Sequence, residues 1–189
     1  MSKLKKIHII GPAGSGKTYT SIKLSRILKI KASELDNFFW DNTDNTYSRR
    51  SSSEVRNVSL KKVLKNDSWI IEGVYYDWVI ESFQKADLII LLEPSFMLCT
   101  FRMVIRFIME RVGVIRHNKK ETFSGFIKTI IRNKQYYELF LPEIISILHK
   151  YNNRFVTFTK GDDAVKYILS QYCEIHKSSL LSGKKKYKR

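Results

Sequence analysis

Eight residues near the start of the chain constrain it more than any others. Gly11-Pro12-Ala13-Gly14-Ser15-Gly16-Lys17-Thr18 fits the pattern G-x-x-x-x-G-K-[ST] completely. The run before it, 5–10, is short, apolar and β-branched, and reads as a buried strand. The run after it, 17–28, is periodic and reads as a helix. Strand, glycine-rich loop and helix in that order build a phosphate cradle. Glycines let the backbone curl until successive N–H groups face inward, and the helix N-terminus adds partial positive charge behind them. In such a cradle Lys17 reaches β- and γ-phosphates and the Thr18 hydroxyl ligates Mg²⁺. Gly11, Ala13, Gly14, Ser15, Gly16, Lys17, Thr18 and the adjoining Tyr19 are therefore the expected nucleotide contacts, with ATP and Mg²⁺ as the expected cofactors.

The rest of the chain alternates in the same way. Strands are predicted over 5–10, 30–35, 68–72, 87–92 and 154–159. Helices are predicted over 17–28, 76–85, 95–111, 122–134, 137–150 and 162–172, with another opening on a Ser51-x-x-Glu54 capping box and running to about 65. The polar, aromatic stretch 37–52 reads as a loop with room for a helical turn. This alternation predicts an α/β fold: a parallel sheet covered by helices on both faces, in three layers. Residues 1–172 read as one domain with a lid-like insertion at about 111–122, and 173–189 as a basic, disordered tail.

The 189 residues carry 34 Lys and Arg against 18 Asp and Glu, for a formal charge of +16. Five of the cations lie in the last six residues, where solubility is the simpler reading. Between Arg102 and Lys134, however, nine cations face only Glu110 and Glu121. Such a field attracts anions, whether nucleotides, phosphorylated substrates or, non-specifically, nucleic acid. No membrane association is expected. The apolar run 7–10 is too short for a signal segment, and 88–109 is interrupted by Glu93, Pro94, Arg102 and Arg106. Cys99 and Cys173 have neither metal nor disulfide spacing and read as reduced thiols of a cytoplasmic protein.

Ligands of open parallel sheets sit at the carboxyl ends of the strands. Asp36, Glu72 and Glu93 fall there in the predicted pattern. Glu72 is the candidate for Mg²⁺, and Asp36 for orienting or deprotonating an acceptor hydroxyl. Glu93 precedes Pro94 and reads as the end of a strand. Arg102 and Arg106, four apart, share one helix face and are suited to clamping a triphosphate and neutralising charge during transfer.

With these residues in place, the chain up to about Tyr172 resembles the adenylate-kinase-like group of P-loop kinases. Within that group it looks closest to small bacterial proteins often labelled DNA topology modulation protein or AAA-family ATPase. The segments that carry this likeness are Leu35-Asp36-Asn37-Phe38-Phe39-Trp40 and Trp69-Ile70-Ile71-Glu72-Gly73-Val74-Tyr75. The resemblance implies a strand order of 2-3-1-4-5 and a helical lid. It puts Glu72 in the Walker-B place, where these kinases usually carry Asp, and makes Arg102 and Arg106 the arginines flanking the lid. It also implies that Arg132, followed by Tyr136 and Pro142, reaches the transferring phosphate, that the backbone at Gly161 passes the adenine ring, and that Asp36 is the acceptor-side acid. The sequence departs from adenylate kinases after Glu72. There the usual arginine that holds an acceptor phosphate is missing, which leaves Arg49, Arg50 and Arg56 to compensate. Thr159-Lys160-Gly161-Asp162 has the look of a guanine-reading motif, but no Asp-x-x-Gly switch accompanies it.

These readings imply a phosphotransferase that moves the γ-phosphoryl group of Mg-ATP to a small acceptor, a nucleotide, nucleoside or other metabolite. The alternatives are a nucleic-acid-associated P-loop NTPase or polynucleotide-end kinase, and an NTPase switch coupled to a partner.

Overall fold

The computed structural model describes residues 4–41, 49–114 and 122–171. Five strands form one sheet: β1 (Lys6–Ile10), β2 (Ala32–Glu34), β3 (Trp69–Gly73), β4 (Leu88–Leu92) and β5 (Phe155–Phe158). Every neighbouring pair is parallel, and the order is β2-β3-β1-β4-β5. This is the expected α/β architecture and strand order.

The helices are α1 (Lys17–Leu28), α2 (Asp36–Phe39), α3 (Ser53–Leu64), α4 (Ile80–Lys85), α5 (Phe96–Arg111), α6 (Phe123–Gln135), α7 (Leu141–His149) and α8 over 161–171. Strand side chains alternate in direction, so each apolar run feeds two cores at once. Ile71, Ile89 and Leu91 join Leu60, Phe83, Ile144 and others on one face. Ile70, Ile90 and Leu92 join Leu24, Val165, Ile168 and others on the opposite face. The sheet is thus the middle of three layers.

Local details differ from expectation where side chains settle the boundary. The α3 cap is Ser52 rather than Ser51: its Oγ accepts from the Val55 N–H at 3.4 Å, while Glu54 pairs with Ser53. The predicted 76–85 helix begins only at Ile80, because Tyr75 and Trp78 are drawn into an aromatic cluster. The junction of α6 and α7 is continuous, through a wide π-helical turn at Tyr136–Phe140. The predicted loop 37–52 carries α2 at its start, and 42–48 lie outside the described residues. So do 115–121, the centre of the predicted lid, and the tail from 172 onward.

Candidate active site

The phosphate loop is wedged between the end of β4 and the start of α5. Gly11 lies against the Leu92 carbonyl and Gly14 against the Cys99 carbonyl, so neither position has room for a Cβ. Gly14 and Gly16 adopt positive φ, 77° and 95°, backbone that only glycine takes at little cost. Gly16 is the N-cap of α1, so the curl ends where the helix N–H groups begin. Ala13, between Gly11 and Gly14, is half-buried.

Four groups then face the cradle. The Ser15 hydroxyl is buried with no hydrogen-bond partner, an orphan that a phosphate oxygen would satisfy. Lys17 is 8% exposed and donates to the Pro12 carbonyl at 2.9 Å. Burial pushes its ammonium below the ordinary lysine value, against the opposing pull of the Glu72 and Asp36 carboxylates. Thr18 Oγ1 donates to Glu72 Oε1 at 2.7 Å. Glu72 is 4% exposed, and burial raises its carboxyl above the usual range, opposed by Lys17 and Thr18. An exposed threonine hydroxyl bonded to a buried carboxylate beside a lysine suits a hard cation held jointly with phosphates, so the residues fit both a triphosphate and Mg²⁺.

Arg102 on α5 donates from Nη1 to the Gly14 and Ser15 carbonyls, both at 3.3 Å, and so grips the outer edge of the loop. Arg106, one turn on, acts on the charge of Lys17 and pairs with Glu110 at 3.8 Å. On the far flank, Gly161 packs on Thr20, whose Oγ1 donates to the Gly16 carbonyl. Asp162 pairs with Lys23 at 2.7 Å and accepts from the Tyr19 hydroxyl at 3.3 Å. Tyr19 and Gly161 therefore border the same side of the loop. Arg132 is exposed on α6 and makes no ion pair among the described residues.

Beside β3 lies a second half-site. Asp36, at the start of α2, accepts from the Tyr75 hydroxyl at 2.7 Å. The Tyr75 ring stacks on Phe39 at 4.5 Å and leans on Trp78. Arg50 and Arg56 lie over the Phe39 ring, at 5.5 and 5.0 Å, and Arg56 also covers Trp78. The Nε of Arg56 is buried without a partner. Burial and Asp36 together push the Tyr75 phenol far above its usual range, so it stays a donor at any ordinary pH. The sequence points to Asp36, Arg50 and Arg56, and carries Phe39 and Tyr75 only within the two segments of the resemblance; their place in the site, and that of Trp78, is set by the fold. The signal in the sequence is Tyr75 at the end of the Trp69–Tyr75 segment. Glu34 is in register with Glu72 across the β2–β3 pair and opposes its ionisation. Cys99 hydrogen-bonds the Tyr137 hydroxyl at 3.2 Å, and burial raises its thiol.

No family model matches the chain. Over 88 residues it is 30% identical to "Uncharacterized protein YqaC" of Bacillus subtilis (strain 168), a match covering 47% of this chain; the chain spans about half the length of that curated relative, 48%. Among solved structures, it is similar to the shikimate kinase from Acinetobacter baumannii in complex with shikimate. That pair has a TM-score of 0.61 and 13% identity, covering 90% of this chain and 94% of the other. It is also similar to a gluconokinase from Sinorhizobium meliloti 1021, with a TM-score of 0.52 and 12% identity over 96% and 99% of the two chains. The fold of this chain is that of these P-loop kinases.

Proposed function

We propose that this protein is an ATP- and Mg²⁺-dependent kinase that transfers the γ-phosphoryl group to a hydroxyl of a small acceptor carrying an anionic group. The observation that carries the reading is the meeting of two half-sites at one end of the sheet. The phosphate cradle holds Lys17, and the Asp36–Tyr75 pair stands close enough for the Asp36 charge to act on that lysine. The names of the two solved neighbours, a shikimate kinase and a gluconokinase, support a small-molecule acceptor. The two segments that resemble the DNA topology modulation subgroup support placing the chain there.

The division of labour follows from chemistry. Mg²⁺, when bound, neutralises charge on the β- and γ-phosphates; Thr18 and Glu72 would hold it. Lys17 and Arg102 would orient the phosphates, and Arg106 would add charge as the transfer proceeds. Arg132 belongs to this set if closure of the lid brings α6 inward. Asp36, steadied by Tyr75, orients or deprotonates the acceptor hydroxyl. The aromatic floor and the Arg50 and Arg56 guanidiniums would seat the remainder of the acceptor, its anionic group on the arginines.

The test is a transfer screen. The protein, Mg²⁺ and γ-labelled ATP are incubated with hydroxy acids, nucleosides, nucleoside monophosphates, neutral alcohols and 5′-hydroxyl oligonucleotides, with Lys17→Ala as blank. Label on a small anionic acceptor is the expected result. Label on oligonucleotides would favour a polynucleotide-end kinase. Hydrolysis with no transfer to any acceptor would sink the kinase reading and favour a switch.

A further inference from the structure

One face of α5 is left uncovered among the described residues. The inner face is committed: Met103 is buried against Gly14, Phe107 stacks on Phe126 of α6 at 4.4 Å, and Arg102 grips the phosphate loop. The opposite face is apolar. Leu98, Phe101, Ile105, Ile108 and Val112 recur at spacings of three, four, three and four residues. They are exposed in this structure, from 38% at Leu98 to 67% at Val112. Met97 and Met109 widen the stripe. A helix that is apolar on both faces is ordinarily buried on both.

We propose that this face pairs with the α5 helix of a second copy of the chain, about a two-fold axis. Three observations choose this occupant. First, the spacing is that of a helix–helix seam, with Leu98, Ile105 and Val112 at one set of positions and Phe101 and Ile108 at the other. Second, the area is right. From their exposures these seven side chains present roughly 700 Å², more than the largest apolar patch of an ordinary monomer and close to the ~800 Å² per partner of a standard interface. Third, the stripe positions carry no charged side chain, and the three arginines of α5 lie off it, with Arg102 on the loop, Arg106 beside Glu110 and Arg111 over the Phe107 ring at 4.8 Å, so a second copy meets no like charge along the seam. A single apolar stripe is self-complementary under two-fold symmetry. Pairing would brace the helix that backs the phosphate loop.

The full chain is examined by sedimentation equilibrium across micromolar concentrations, as wild type and as Phe101→Glu and Ile105→Glu. The expected mass is twice 22.3 kDa for the wild type. Each substitution enters the seam twice, so each variant should raise the dissociation constant at least ~100-fold, with helical circular dichroism unchanged. As a second reading that needs no variant, the melting temperature of the wild type should rise with protein concentration. A wild type that stays monomeric to ~100 µM with a concentration-independent melting temperature overturns the proposal. So does a dimer that survives both substitutions, which would place the interface elsewhere. So, too, does a monomer that co-sediments with phosphatidylserine vesicles only when Phe101 and Ile105 are intact.

Discussion

At the scale of single residues, Lys17 and Tyr75 make the sharpest statements. Lys17 is buried and donates to the Pro12 carbonyl of its own loop, which holds its ammonium in place beside the Glu72 and Asp36 carboxylates. Lys17→Met should lower phosphoryl transfer at least ~100-fold, the usual cost of losing one preorganised charge donor, while leaving the unfolding midpoint near that of the wild type. Retained transfer would remove Lys17 from the reaction. Tyr75 acts differently, since its hydroxyl reaches Asp36 rather than the phosphates. Tyr75→Phe keeps the ring stacked on Phe39 and deletes only that bond. We expect turnover with the best acceptor to fall about tenfold, with ATP affinity unchanged in a calorimetric titration. A matching loss of ATP affinity would mean that Tyr75 supports the loop and not the acceptor side.

At the scale of elements, α1 and α8 meet closely at Thr20 and Gly161. A Cβ on Gly161 would run into Thr20 Oγ1, whose hydrogen bond to the Gly16 carbonyl ties the first turn of α1 to the loop. Gly161→Ala should therefore destabilise the fold by ~1–3 kcal/mol through overpacking, and should weaken nucleotide binding because Gly16 is disturbed. Adding Thr20→Ala makes room and should restore much of the stability. Urea unfolding of the single and double variants reads the coupling directly, and purely additive losses would place the clash elsewhere. The joint also shows why element boundaries were only partly legible. The periodic run 17–28 matches α1 to the residue, because a loop motif fixes its start. Helix α4 is four residues shorter than its sequence predicts, because Tyr75 and Trp78 pack on side chains distant in sequence.

At the scale of the whole molecule, the sheet holds a histidine in its centre. His8 is fully buried on β1, and its Nδ1 donates to Ser82 Oγ at 2.7 Å, since the one Ser82 proton goes to the Val79 carbonyl. Burial holds its pKa down to about 3, against an ordinary value of 6.5. The unfolded chain thus takes up this proton first on acidification, and stability falls as pH drops from 6.5 toward 3. Between neutral pH and about pH 4.5 this one group should remove about 2–3 kcal/mol. His8→Leu should flatten that part of the curve of unfolding free energy against pH, and an unchanged slope would show that His8 is not the group responsible. The sequence alone determined the phosphate loop and the α/β class, because these rest on local backbone chemistry and on periodicities carried within short segments; the strand order came from the resemblance that two segments carry, and the sheet has that order. The sequence also pointed to Glu72 and Asp36, which follow from strand ends. Tertiary structure decided the rest. It set Tyr75, Phe39 and Arg56 around Asp36, aligned Glu34 with Glu72, and left one face of α5 bare. Those relations join residues far apart in the chain, and pairwise register and helix rotation exist only once the layers have packed.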